Sequence, residues 1–127
     1  MKRNKQTSIT YPFGDVVLHD NYLVSVINEG ETVTKDHNEE LVKLSITQYN
    51  ERPFGYITHR KYSYSVDPHT YIETSKIDNL VAFAIVSNEH ISIANAEVEK
   101  LFLKKPVQVF NTIEQAEIWV ESLIANL

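Results

Sequence analysis

The sequence predicts one α/β domain: a single mixed, mostly parallel sheet with helices on both faces and an opening β-hairpin, in the order ββαβαβαβα. Segments with helical apolar spacing alternate with strand-like segments after that hairpin. Residues 80–86 are seven consecutive apolar residues, which is typical of a central strand covered by helices on both sides. The length of 127 residues suits one domain, expected over residues 11–127 after a flexible basic terminus over residues 1–10.

The opening hairpin is predicted from two β-prone segments, residues 15–19 and 22–27, with Asp20 and Asn21 between them. Asp and Asn tolerate the left-handed backbone conformation that a tight turn requires. From residue 32 or 34 to about residue 50, apolar residues recur at helical spacing, which predicts an amphipathic helix.

A short, buried strand is predicted over residues 54–58, and a basic, aromatic loop follows over residues 59–65. Asp67 and Pro68 then favour the start of a helix that extends to about residue 76. An Asp side chain accepts hydrogen bonds from the free N–H groups of a first turn, and the fixed φ of Pro suits the first helical position.

The rest of the chain continues the alternation around the apolar strand described above. A helix is predicted over residues 88–102, a strand over residues 106–110 and a final amphipathic helix over residues 113–127. Asn111 and Thr112 are the expected caps of the final helix, because short polar side chains accept hydrogen bonds from its first N–H groups.

Composition excludes several classes of function. The absence of cysteine excludes disulfides, thiol catalysis, and Cys-ligated zinc or iron–sulfur clusters. The three glycines are too far apart for a phosphate-binding Walker loop or a dinucleotide-binding turn. The five histidines lack metal-ligand spacing, and no G-x-S-x-G motif is present. We therefore expect no metal, no cofactor and no enzymatic activity.

The charge distribution argues against a nucleic-acid partner. The net charge is −5, and three of the 12 basic residues, Lys2, Arg3 and Lys5, precede the predicted domain. A nucleic-acid interface requires a basic stripe that displaces counterions. No apolar run approaches the roughly 18 residues of a membrane span, and polar residues 6–8 follow the basic start, unlike a signal peptide. We therefore expect a cytoplasmic protein.

The strongest candidate site is the loop after the strand over residues 54–58, at the end where open α/β sheets bind their ligands. Its basic and hydroxyl-bearing side chains favour an anion or the acidic surface of a partner, although Asp67 would repel an anion. The alternative interpretation, a surface loop whose tyrosines only cover the core, stays open. The candidate binding residues are His59, Arg60, Tyr62, Ser63, Tyr64, Ser65 and Asp67.

The order of elements, the apolar segment 80–86 and the final segment 107–119 resemble the STAS / SpoIIAA-like family of anti-sigma-factor antagonists. In both, the final segment is a strand, a polar cap and a helix with acidic residues. The resemblance covers residues 11–127 and implies a non-enzymatic, regulatory domain that binds a protein partner. It also implies a phosphorylated serine, for which Ser63 and Ser65 are candidates by position, although the family's Asp-Ser-Gly signature is absent.

Three classes of function remain open. The first is binding of a protein partner at the 59–67 loop, and the second is binding of a small anionic or amphipathic ligand in the same crevice. A well-formed pocket beside Tyr64 that holds unexplained density would favour the ligand, and a flat surface would favour the protein. The third is an enzyme, which would need His59 or His69 within hydrogen-bond reach of a Ser or an acid in a cleft.

A homodimer, in which residues 8–13 add a strand to a neighbouring copy, is a further hypothesis.

Overall fold

The structure is a computed structural model that describes residues 7–62, 64–87 and 100–127. Eight strands and three helices lie wholly within these ranges. The strands are β1 (Thr7–Tyr11), β2 (Gly14–Leu18), β3 (Tyr22–Ile27), β4 (Thr32–Val33), β5 (Phe54–His59), β6 (Ser65–Val66), β7 (Leu80–Val86) and β8 (Val107–Phe110). The helices are α1 (Lys35–Tyr49), α2 (His69–Thr74) and α3 (Ile113–Ala125).

Six strands form the main sheet in the order β1-β2-β3-β5-β7-β8. The pairs β1–β2 and β2–β3 are antiparallel, whereas β3–β5, β5–β7 and β7–β8 are parallel. The apolar strand β7 lies inside the parallel part, between β5 and β8, as its seven apolar residues predict. The predicted fold class is therefore confirmed.

The first strand, β1, was not predicted. Residues 7–10, expected in a flexible terminus, lie in β1 and pair antiparallel with β2, with Thr7 opposite Leu18. The pairing is stabilised because Ile9 and Tyr11 pack against the core, while the polar residues Thr7, Ser8 and Thr10 are exposed. The segment that was expected to add a strand to a neighbouring copy instead forms the edge strand of the chain's own sheet. The homodimer stays a prediction.

A second, small sheet consists of β4 and β6, which pair parallel with Thr32 opposite Ser65 and Val33 opposite Val66. The backbone N–H of Ser65 donates to the carbonyl of Glu31 at 2.9 Å, and the N–H of Asp67 donates to the carbonyl of Val33 at 3.0 Å. These bonds attach the loop after β5 to the segment that precedes α1. Two-residue strands have too short a pattern to be recognised in a sequence.

Helices lie on both faces of the main sheet. Helices α1 and α2 cover one face, where Leu41 and Tyr71 pack with Leu23, Phe54 and Phe83 of the sheet. Helix α3 covers the other face through Ala116 and Val120.

Of the helix predicted over residues 88–102, only residues 100–102 are described, and these are helical; the rest lies outside the described residues. No helix in the described ranges combines the length and apolarity needed to cross a membrane.

The helix starts follow the predicted capping signals closely. Thr112 is the N-cap of α3, and its side chain accepts a hydrogen bond from the N–H of Gln115 at 3.2 Å. Helix α2 begins at His69, one residue after the predicted start, and ends two residues earlier than predicted, at Thr74. The Asp67 carboxylate still accepts a hydrogen bond from the N–H of His69, at 3.1 Å. Asp67 therefore accepts a hydrogen bond from the first turn of the helix, as predicted, although the helix begins one residue later than predicted.

A close approach between β5 and α3 requires a glycine in the strand. A Cβ atom added at Gly55 would overlap the side chain of Val120, which is fully buried. The absence of a side chain at Gly55 therefore lets α3 lie directly against the sheet.

We expect the change Gly55→Ala to lower the free energy of unfolding by about 1–3 kcal/mol, because a methyl group is forced into a packed core. Val120→Ala should also be destabilising, because it leaves a cavity. The double variant should lose less unfolding free energy than the two single variants lose in sum, because the smaller residue at position 120 makes room for the new methyl group at position 55. Urea denaturation of all four proteins measures this coupling, and strictly additive effects would contradict the contact.

Candidate functional site

Strand β5 separates the predicted site residues, because successive side chains of a strand face opposite sides of the sheet. Tyr56 and Thr58 line a cavity on the side of α1 and α2. Ile57 belongs to the core under α3. His59 is two residues after Ile57 and therefore lies on the same face of the sheet. The negative charge of Glu114, in the first turn of α3, raises the pKa of His59. The loop residues therefore do not form one site.

A partly enclosed cavity of about 50 Å³ lies between the sheet and helices α1 and α2. About half of the residues that line it are apolar, most of these from β3, β5, β7 and α1, and Arg60, Tyr64 and Tyr71 are among the polar residues that line it. The cavity therefore lies beside Tyr64, at the crevice predicted from the sequence.

Arg60 brings a positive charge to the cavity. Its backbone N–H donates to the carbonyl of Val86 at 2.9 Å, which extends the pairing of β5 with β7 by one residue. Its guanidinium carbon lies 5.6 Å from the centre of the Tyr64 ring, within range of a cation–π interaction. Nη2 also donates a long hydrogen bond, 3.5 Å, to the hydroxyl of Tyr71. Arg60 is the one charged residue among the described residues that line the cavity.

Hydroxyl groups occupy the same cavity. Thr58 and Tyr64 share a hydrogen bond of 2.8 Å between their hydroxyl oxygens. Thr74 donates to the side-chain oxygen of Asn38 at 3.0 Å, which joins α2 to α1. The hydroxyl of Thr70 is buried, with 4% of the residue exposed, and has no hydrogen-bond partner in the described part of the chain. An unsatisfied buried hydroxyl costs about 1–3 kcal/mol, so this position favours an added polar group.

Tyr56 contributes a neutral hydroxyl beside the apolar wall. Its ring stacks on Phe83 with centroids 5.0 Å apart, and its hydroxyl shares a hydrogen bond of 2.8 Å with Ser25. Burial raises the pKa of Tyr56 well above its ordinary value, so the phenol stays protonated at neutral pH. Tyr56 therefore adds no negative charge to the cavity.

The remaining predicted residues lie elsewhere. The side chain of Tyr62 is on the surface, with the residue 50% exposed. Ser65 lies in β6 and is exposed, whereas Ser63 lies outside the described residues. Asp67 accepts hydrogen bonds from the backbone N–H of His69 and contacts the imidazole Nδ1 at 3.0 Å, and these contacts lower its pKa. Asp67 therefore stabilises the start of α2 instead of lining the cavity.

Sequence reasoning missed the helical half of the cavity. Thr70, Tyr71 and Thr74 of α2 and Asn38 of α1 are buried and line it. A usable signal was present, because Thr70 and Thr74 are four residues apart and so share one face of a short helix. In the described residues, no group of three or more His, Asp or Glu side chains could hold a metal ion.

We expect the imidazole of His59 to titrate below the ordinary histidine value of about 6.5. Burial and then the charge of Lys61 lower its pKa, while Glu114 raises it. Lys61→Met should therefore raise this pKa and Glu114→Gln should lower it further, which NMR titration of the imidazole proton can measure. Identical titration in all three proteins would contradict this environment.

The same shift makes stability depend on pH. Because the folded pKa is lowered, the unfolded chain binds more protons, and His59 reduces the free energy of unfolding as the pH falls through about 6.5. A His59→Gln variant should lose less stability between pH 7 and pH 5 than the wild type.

The fold is also found in a protein from Shewanella loihica PV-4. That protein, an uncharacterized member of the DUF3478 family with a SpoIIAA-like fold, superposes with a TM-score of 0.52 at 10% sequence identity. The match covers 94% of this chain and 97% of the other. No family model matches the chain, and neither does any curated protein. A similarity at this level of identity shows the fold, and the chain has the SpoIIAA-like fold that its sequence resembles.

Proposed function

We propose that this domain is a non-enzymatic binding module whose ligand occupies the cavity between the sheet and helices α1 and α2. The observation that carries this proposal is the cavity itself, which places the charge of Arg60 and the buried hydroxyl of Thr70 within apolar walls. Binding sites for small molecules typically combine an apolar lining with a few convergent polar groups. A small anionic or amphipathic molecule fits this combination.

The positions of the histidines support a binding role over a catalytic one. His59 follows the α3 side of β5, away from the cavity. His69 contacts the Asp67 carboxylate at 3.0 Å, but its side chain is 85% exposed. A general base needs a substrate held beside it in a site that excludes water, and an exposed pair offers no such site.

Binding of a protein partner is a second proposal, and Tyr62 favours it. The residue lies on the same loop, is half exposed, and stands in the chain between Arg60 and Tyr64, which form the cation–π pair. Exposed aromatic side chains are common energetic centres of protein interfaces. A phosphorylation switch at Ser63 or Ser65, as the family resemblance implies, would belong to this second function.

A thermal-shift screen with small anionic and amphipathic molecules tests the first proposal. A ligand that binds only the folded state raises Tm, and we expect this rise to be lost in Arg60→Met and reduced in Thr70→Val. Tyr62→Ala is the matched control, because it changes the same loop outside the cavity and should keep the full rise. Equal shifts in the wild type and both cavity variants would contradict binding in the cavity.

A pull-down from cell extract separates the second proposal from the first. Tyr62→Ala should lose capture of a protein partner, whereas Thr70→Val, with its altered side chain inside the molecule, should retain it. Capture that is unaffected by Tyr62→Ala would exclude this surface as the partner-binding site.

A further inference from the structure

We propose that strand β1 is a self-association surface, at which two copies of this chain pair antiparallel and join their main sheets into one. This surface is separate from the cavity described above, whose described lining contains no residue of β1. Four features of β1 support the pairing: its place in the sheet, the direction of its outer peptide groups, its lack of charge, and the side chains that two copies would bring together.

Strand β1 forms an open edge of the main sheet. It comes first in the strand order, and among the described strands it pairs with β2 alone. Thr7, Ser8 and Thr10 are exposed, and Ile9 and Tyr11 are only partly buried. An edge strand presents a row of backbone N–H and C=O groups, and a strand of another chain can pair with that row.

The hydrogen bonds of β2 show which peptide groups of β1 face outward. The carbonyl of Phe13 accepts a hydrogen bond from the N–H of Asn28 at 2.9 Å, on the side of β2 that faces β3. Because peptide groups along an antiparallel strand point alternately to its two neighbours, every second residue of β2, starting with its first, bonds to β1. The middle one of these residues is paired with Ile9. The N–H and C=O groups of Ser8 and Thr10 therefore point away from β2.

The sequence of β1 contains none of the features that block pairing at an edge. Proteins commonly prevent such pairing with a lysine, a proline or a β-bulge in the edge strand. Residues 6–14 carry no charge, and β1 pairs with β2 in continuous register, with no proline in the strand. Two chains that each carry a net charge of −5 repel each other, so an uncharged edge favours their approach.

The opposite edge of the main sheet is different. Strand β8 has four residues, and two lysines and a proline, residues 104–106, directly precede it. These residue types disfavour pairing at an edge. We therefore expect the second copy at β1, and the exposed Gln108 of β8 offers a control position at the other edge.

Two copies of β1 have matching side chains when they pair about a two-fold axis at Ile9. All residues of the strand then overlap, with Ile9 opposite Ile9 of the second copy. Ser8 lies opposite Thr10 in two symmetric pairs, and each pair exchanges both of its backbone hydrogen bonds through the outward groups. Thr7 lies opposite Tyr11. Pairs of hydroxyl residues, and pairs of an aromatic with a β-branched residue, stabilise antiparallel sheets.

Tyr11 is already held in place in the single chain. Its ring stacks on that of Phe13 with centroids 5.0 Å apart, and Phe13 stacks on His37 of α1 with centroids 4.4 Å apart. Phe13 is itself buried. A side chain that is ordered before association loses little conformational entropy when the partner binds. The ring of Tyr11 is therefore a preorganised contact for Thr7 of the second copy.

Sedimentation velocity of the full chain, from low to high micromolar concentration at constant ionic strength, tests the proposal. We expect a reversible monomer–dimer equilibrium. Ser8→Lys combined with Thr10→Lys sets like charges opposite each other in both symmetric pairs, and should weaken dimerisation roughly ten-fold or more. Ser8→Glu combined with Thr10→Lys sets opposite charges there, and should dimerise at least as well as the wild type. Gln108→Lys adds a charge at the other edge and should change nothing.

Urea denaturation of each variant separates loss of association from loss of folding. The replaced residues are all exposed, so we expect similar midpoints. The two double variants share Thr10→Lys and differ only at position 8, so their comparison stays valid even if that change lowers stability.

Several outcomes would overturn the proposal. A wild type that stays monomeric at high micromolar concentration would exclude self-association and leave the edge to a strand of another protein. A dimer that the two lysines do not weaken would place the interface elsewhere, and a dimer lost in Gln108→Lys would place it at β8. Equal weakening in both double variants would contradict the pairing of residue 8 with residue 10. None of these results depends on ligand binding in the cavity.

Discussion

Strand β5 lies in the middle of the main sheet, between β3 and β7, and its alternating side chains assign residues to the two cores. Gly55 and Ile57 face α3, where the missing side chain of Gly55 allows Val120 to approach the strand. Tyr56 and Thr58 face α1 and α2. A shift of the register by one residue would exchange the two sets, so both cores and the cavity depend on this one pairing.

The two faces of the main sheet are packed differently because β5 presents different side chains to each face. Under α3, small and branched residues allow close contact between helix and sheet. Under α1 and α2, large rings and paired hydroxyls meet, and the hydrogen bonds that satisfy Thr58, Tyr64, Thr74 and Asn38 hold them in fixed positions. A cavity with polar groups remains between these elements, and its lining supports a binding function.

Much of the fold was predictable because it depends on local patterns. The apolar run of residues 80–86 identified an inner strand, and Thr112 identified the start of α3. Strand β1 was missed because its pattern is short and its stability comes from pairing with β2. Of the residues predicted for the site, Arg60 and Tyr64 line the cavity, whereas His59, Tyr62 and Asp67 do not. Ser63 lies outside the described residues.

By itself, the sequence determined the fold class, the alternation of elements and the classes of chemistry that its composition excludes, because these depend on residue types and their spacing. Tertiary structure alone decided which side chains meet. The contact of Thr74 with Asn38 joins residues 36 positions apart, and the buried hydroxyl of Thr70 becomes relevant only once α2 lies over the sheet. Such contacts depend on the register of the strands and the placement of the helices, which no local sequence pattern predicts.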